Sequence, residues 1–180
     1  MNLPNILTLS RIVLAGILVF LLKANTRTGY ILAVIVFAMA SLTDFYDGHI
    51  AKKQGLISDF GKIMDPVADK ILLLSVFGIL AHIRMIAWWM FVVIAVRELV
   101  VTGSRLMAFR QGQVLAAERA GKIKTVVQII AVSSILLYLA IQQAHRIWLT
   151  VNEGLMILAV ILTVYSGIDY FRSKNEKFYN

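Results

Sequence analysis

The chain has 180 residues, of which 59% are hydrophobic and 16% charged, against roughly 45–50% apolar and about 25% charged in a soluble domain. That surplus of apolar surface, with a mean hydropathy of +0.80, all but excludes a water-soluble monomer and also intrinsic disorder. The absence of cysteine removes disulfides, thiolate metal sites and cysteine nucleophiles. The formal charge of +8 would suggest nucleic acid in a soluble protein, but here reads as basic loops beside anionic lipid, with no nucleic-acid partner.

A helix needs about 20 mostly apolar residues to cross the hydrocarbon core. Six stretches qualify: Ile6–Leu22, Gly29–Tyr46, Gly61–Ile83, Ile86–Met107, Ile123–Gln142 and Trp148–Phe171. The expected fold is therefore all-α: a polytopic membrane protein with six transmembrane helices, in one domain over residues 1–180. No Lys or Arg precedes the first apolar run and Arg11 sits inside it, so it reads as a span rather than a cleaved signal. Asn5, Thr8 and Arg11 share a face of this helix, which suits either the wall of a polar pocket or a cap plus a snorkelling arginine.

Six spans put both termini on one side of the membrane. Lys23, Arg27, Arg84 and Arg146 then fall on the opposite side, and the other fourteen of the eighteen basic residues lie on or near the side of the termini. By the positive-inside rule the termini and the loops 51–60 and 109–121 are cytoplasmic in a multi-pass protein of the cell membrane. Trp88, Trp89 and Trp148 fit an aromatic belt at the outer interface, and no pair among His49, His82 and His145 has metal-ligand spacing.

Asp44, Asp47, Asp65 and Asp69 lie at the facing ends of spans two and three. Each carboxylate costs about 2.5–3.5 kcal/mol near a helix centre and less at the interface, so a cation offsetting them is expected. On a helix Asp44, Asp47, Gly48 and Ala51 form one stripe, and Gly61, Asp65 and Asp69 form another. Two such stripes offer oxygen ligands of the kind that hard cations, Mg²⁺ or Mn²⁺, prefer, with charge enough for two ions. The small residues let a bulky ligand approach the backbone. Pairing of the aspartates with Lys52, Lys53, Lys62 and Lys70 is the plainer alternative. Asp59, between the stripes, reads as a solvated or capping residue.

The string Asp44-x-x-Asp47-Gly48-x-x-Ala51-Lys52, eight further residues, then Gly61-x-x-x-Asp65-x-x-x-Asp69 resembles the signature of CDP-alcohol phosphatidyltransferases at seven of eight fixed positions. The departure is Lys52, where the family has Arg, so the charge is kept and the bidentate fork is lost. The resemblance implies two divalent ions held by the four aspartates, with Asp69 as general base. It implies a CDP-linked lipid near Asp47, Gly48, Ala51, Lys52, Gly61, Asn5 and Thr8, its tails among membrane lipids between helices. The implied reaction moves the phosphatidyl group of CDP-diacylglycerol to an alcohol by direct displacement, releasing CMP.

Glycerol 3-phosphate is the expected acceptor, because a second set of basic residues suits a phosphate. Arg97, Ser104 and Arg105 share a face of span four, Arg110 follows, and Lys122, Lys124 and Thr125 open span five. For Arg110 and Arg119, positive-inside anchoring is the stronger reading; Arg97 lies deeper, and its neighbour Glu98 suits a pairing with another span. Asn5-Ile-Leu-Thr8-Leu-Ser-Arg11, Arg97-Glu98-x-x-Val101-Thr102-Gly103-x-Arg105, Gly121-Lys122-Ile-Lys124-Thr125 and, more weakly, Ser166-Gly167-x-x-Tyr170 are similar to family members that use this acceptor. Other acceptors (inositol phosphate, serine, phosphatidylglycerol) remain alternatives within the family. An aspartate-rich intramembrane prenyltransferase and a divalent-cation transporter are alternatives outside it. A homodimer is the expected assembly for apolar spans of this kind.

Overall fold

A computed structural model of the protein describes the backbone of residues 3–54, 59–110, 119–142 and 145–178, and the side chains of residues 9–42, 70–108, 120–142 and 145–173. Six helices follow one another: α1 (Leu3–Lys23), α2 (Arg27–Gln54), α3 (Asp59–His82), α4 (Trp88–Arg110), α5 (Arg119–Ile141) and α6 (Arg146–Phe178). The described residues include no strand, so the fold is all-α. Each helix covers one expected apolar stretch. Two run clearly further: α2 continues past Tyr46 to Gln54, and α6 past Phe171 to Phe178. Neither extension contains proline, and both are rich in helix-compatible Lys, Gln, Ala and Glu. α3 begins at Asp59, the residue read as a cap.

Helix ends follow from local chemistry. Asn25, Arg84 and Gln142 take positive φ (51°, 61° and 54°) just beyond α1, α3 and α5. After α3 the Met85 N–H donates to the Leu80 carbonyl and the Arg84 N–H to the Ala81 carbonyl, a Schellman closure that satisfies the last carbonyls.

The chain forms two compact units, Met1–Met85 with Val132–Ala144, and Ile86–Ala131 with His145–Asn180. In the first, α1 packs against both α2 and α3. Its buried stripe is Arg11, Ala15, Leu18 and Leu22, at i, i+4, i+7 and i+11. In the second, α4 packs on α6. α5 contributes its first half to the second unit and its last half to the first.

The outer face is apolar like the core, unlike that of a water-soluble bundle. Phe20 (73% exposed) and Ile147 (79% exposed) lie outside, while Arg11, Glu98, Lys124, Gln128, Asn152, Thr163 and Ser166 are buried. Two helices, Ala120–Ile141 and Arg146–Ser173, are long and apolar enough to cross a membrane among the described residues.

The α1–α2 turn is built from four residues, Asn25, Thr26, Gly29 and Tyr30. Thr26 caps α2, its Oγ1 accepting the Gly29 N–H at 3.1 Å. The Tyr30 hydroxyl donates to Asn25 Oδ1 at 2.5 Å, tying the helix back to the turn. A Cβ on Gly29 would stand 2.6 Å from the Leu21 carbonyl oxygen, a backbone atom that cannot move aside cheaply. Gly29→Ala is therefore expected to destabilise by about 1–3 kcal/mol, the cost of overpacking, read as a lower unfolding temperature in detergent. Gly16→Ala, where a Cβ meets no atom within 4 Å, should leave that temperature unchanged or slightly raised.

Candidate active site

Helix α4 carries four charges in an apolar run, Arg97, Glu98, Arg105 and, at its end, Arg110. Glu98 is buried and Arg97 and Arg105 are half-buried, and each of these three has a partner. Glu98 is 2% exposed and Lys124 of α5 is 1% exposed, and the Lys124 ammonium donates to Glu98 Oε1. Arg97 Nη1 reaches the same oxygen at 3.3 Å. Arg97 Nη2 donates to Ser166 Oγ of α6 at 2.9 Å. The Ser166 hydroxyl in turn donates to the Thr163 carbonyl at 3.1 Å. Thr163 Oγ1 donates to the Ala159 carbonyl at 2.6 Å and accepts from Gln128 Nε2 of α5 at 3.0 Å. Further along, the Tyr170 hydroxyl donates to Ser104 Oγ at 3.2 Å, and the Arg105 guanidinium lies over the Tyr170 ring, 5.3 Å from its centroid.

Periodicity explains why these groups meet. Thr163, Ser166, Gly167 and Tyr170 are i, i+3, i+4 and i+7, one stripe of α6, and Lys124 and Gln128 are i and i+4 on α5. The result is a polar seam among three helices of the second unit. Among the described residues, three cations, Arg97, Lys124 and, two turns further along α4, Arg105, line it with one carboxylate, Glu98. Positive charge at such a half-buried seam favours an anion, and guanidiniums suit a phosphate.

Beside the seam runs a groove of about 620 Å³ between α4 and α6. Val92, Val96, Val100, Val164, Ile168 and Phe171 line it, with Arg97 and Gly167 in the wall and Arg172 at the edge. Its lining suits hydrocarbon.

The structure thus brings together Arg97, Lys124 and Arg105 of the expected phosphate-binding set. Lys122 is exposed, and Thr125 is half-buried with its hydroxyl donating to the Gly121 carbonyl at 3.1 Å. Arg110 closes α4, and its side chain lies outside the described residues. Arg11 is buried rather than snorkelling. Glu98 does pair with another helix, as its depth suggested. Gln128 and Thr163 are site residues that the sequence reading passed over; the signal was polar spacing on apolar helices.

Asn5, Thr8, Asp44, Asp47, Gly48, Ala51, Lys52, Gly61, Asp65 and Asp69 have side chains outside the described residues, though their backbone is helical. α2 is continuous from Asp44 to Lys52 and α3 from Gly61 to Asp69, so the i, i+3, i+4, i+7 and i, i+4, i+8 registers hold. The donor set, four carboxylates and no sulfur or imidazole in those stripes, fits a hard divalent cation. Among the described residues no group of three metal-ligating side chains converges.

Described residues that are helical with apolar outer faces, and a cationic seam between three of the helices, fit a membrane-associated protein. The family model for CDP-alcohol phosphatidyltransferases matches residues 1–165, and the chain belongs to that family, which makes it a transferase. It is 39% identical to the CDP-diacylglycerol–glycerol-3-phosphate 3-phosphatidyltransferase of Bacillus subtilis, covering 97% of this chain and 95% of the relative. It is 39% identical to a probable phosphatidylglycerophosphate synthase of Mycobacterium tuberculosis, over 94% of this chain and 79% of the relative. It is 33% identical to the CDP-diacylglycerol–glycerol-3-phosphate 3-phosphatidyltransferase of Rickettsia felis, over 98% and 97%.

The seam makes a stability prediction. Removing one partner of a buried ion pair typically costs about 3–5 kcal/mol, because the other charge is stranded. Glu98→Ala and Lys124→Met should each lower the unfolding temperature sharply. The double variant should lose less than the sum of the two.

Proposed function

We propose that the chain transfers the phosphatidyl group of CDP-diacylglycerol to glycerol 3-phosphate, giving phosphatidylglycerophosphate and CMP. The observation that carries this reading is the seam among α4, α5 and α6, where Lys124 is buried and Arg97 and Arg105 are half-buried, in a chain of a family whose acceptors are alcohols. An uncharged acceptor gives such a seam no work, whereas a phosphorylated one uses charge-assisted bonds to guanidinium and ammonium. The relatives named for glycerol 3-phosphate support the same choice.

In this account Asp47, Gly48, Ala51, Lys52, Gly61, Asn5 and Thr8 bind the CDP portion, and Asp44, Asp47, Asp65 and Asp69 hold two Mg²⁺ or Mn²⁺ ions. Bound there, the ions neutralise the diphosphate and the departing CMP. Arg97, Arg105, Arg110, Lys122, Lys124 and Thr125 hold the acceptor's phosphate. Lys124 does so with the donors that Glu98 leaves it, since an ammonium has three. Asp69 accepts the proton of the acceptor hydroxyl, whose oxygen attacks the phosphorus carrying the diacylglycerol. The bond from that phosphorus to the CMP oxygen breaks, and the phosphate grip supplies orientation.

The same reading makes the protein multi-pass in the cell membrane. Its six helices span the bilayer, both termini and the active site are cytoplasmic, and residues 1–180 act as one catalytic domain. The exposed apolar faces support this, and lipid or a second copy in a homodimer would cover them. α6, at 33 residues, is about 50 Å long at 1.5 Å per residue, which exceeds a hydrocarbon core of about 30 Å. Its last turns, with Arg172, Lys174 and Lys177, then emerge on the cytoplasmic side.

CMP release from CDP-diacylglycerol and glycerol 3-phosphate in Mg²⁺-containing mixed micelles tests the aspartate assignment. Asp69→Asn and Asp47→Asn should each lower the rate by about 100-fold or more, the scale of losing a positioned acid–base group. Full activity in either variant would overturn it.

A further inference from the structure

We propose that Ser166 and Tyr170 of α6 are positioning residues that hold the guanidiniums of Arg97 and Arg105 in the orientation that receives the acceptor's phosphate. This rests on the reading that those two arginines bind it.

The geometry is specific for orientation. A serine hydroxyl has one proton and two lone pairs. The proton of Ser166 goes to the Thr163 carbonyl, so the oxygen turns its lone pairs toward Arg97, whose Nη2 it receives at 2.9 Å. Glu98 takes Nη1 of the same guanidinium at 3.3 Å. Two acceptors on two helices therefore fix the plane of the fork. Close passage of α6 fixes the stem as well: a Cβ on Gly167 would stand 3.2 Å from Arg97 Cγ.

Tyr170, one turn beyond Ser166, does the equivalent for Arg105, which lies eight residues beyond Arg97 on the same face of α4. Its ring lies beneath the guanidinium, and its hydroxyl donates to Ser104, the residue before Arg105. The ring is thus held at its far end by the helix that carries the arginine. An aromatic face attracts a guanidinium without consuming its N–H donors. Arg105 Nε is buried and has no hydrogen-bond partner among the described residues. A donor held by a ring and otherwise unspent is what a phosphate oxygen requires.

Packing alone asks for none of this. Apolar side chains satisfy it elsewhere on the α6 stripe, at Met156, Ala159 and Val160. A hydroxyl and a phenol at two successive turns add direction. Arginine side chains are long and rotamer-rich, and holding them in place before the substrate arrives lowers the entropic cost of binding.

The test is steady-state kinetics of the full chain in mixed micelles, varying glycerol 3-phosphate and CDP-diacylglycerol separately. Ser166→Ala should raise KM for glycerol 3-phosphate about five- to tenfold, the worth of one ordinary hydrogen bond. KM for CDP-diacylglycerol should stay within about twofold, since the loss is specific to one substrate. Ser166→Thr, which keeps the hydroxyl, should restore the native value. Tyr170→Leu should raise the same KM, and Tyr170→Phe, which keeps the ring, should raise it less; this pair carries the test if Ser166→Ala does not fold. If Arg97→Ala raises KM for glycerol 3-phosphate while Ser166→Ala and Tyr170→Leu do not, the positioning role is overturned and the acceptor reading stands. If Arg97→Ala leaves that KM unchanged, the acceptor reading itself fails, and this inference with it. Parallel losses for both substrates, with Ser166→Thr no better than alanine, would assign the α6 residues a structural role only and overturn the proposal.

Discussion

A carboxylate buried to 2% exposure beside a lysine buried to 1% is the constraint on which the second unit depends. Neither ion tolerates an apolar interior alone, where the desolvation penalty is several kcal/mol per ion. Once Glu98 stands on α4, Lys124 must stand opposite on α5, and the Arg97 guanidinium reaches the same carboxylate oxygen. The remaining Arg97 fork then needs an acceptor on α6, which Ser166 supplies. Three helices are tied together by groups that would be costly to separate. Apolar packing alone does not specify their registers so tightly, because a surface of Val, Ile and Leu slides with little penalty. A charge that loses its partner does not.

This arrangement joins stability to function. The two buried charges, Glu98 and Lys124, balance each other. Arg97 and Arg105, half-buried beside them, leave the seam electropositive among the described residues, which suits an anion. The apolar groove beside it, with Arg97 and Gly167 in its wall, places a hydrocarbon-compatible surface next to a phosphate-compatible one, as an enzyme that joins a lipid to a polar phosphate ester requires.

Much of this was legible in the sequence. The six helices follow from apolar runs about as long as a bilayer is thick, and their order needs no further information. The continuation of α2 through Gln54 was less visible, because hydropathy falls at the Asp44–Lys53 segment and Asp44, Asp47 and Gly48 are weak helix formers, with strong ones returning only at Ala51–Gln54. The family was readable because its signature is long and its spacing is helical. Arg97, Arg105 and Lys124 stood out as charges inside apolar spans. Their partners did not: Ser166 lies 69 residues from Arg97 and Gln128 lies 35 from Thr163. Single hydroxyls and amides in apolar helices are common enough to pass unnoticed. The weak string Ser166-Gly167-x-x-Tyr170 carried the information, yet its meaning, a cradle for two arginines, emerges only when α4 and α6 are seen side by side. Lys124 read as a phosphate ligand, and the structure adds that it is first the counter-ion of Glu98.

The central claim is that the cationic seam selects a phosphorylated alcohol. The most direct measurement is an acceptor panel with purified protein, CDP-diacylglycerol and Mg²⁺ or Mn²⁺, following CMP release with glycerol 3-phosphate, glycerol, inositol phosphate, serine or phosphatidylglycerol. The account predicts turnover with glycerol 3-phosphate and little with glycerol, which differs by the phosphate alone. Equal turnover of glycerol and glycerol 3-phosphate, or a clear preference for serine, would contradict it.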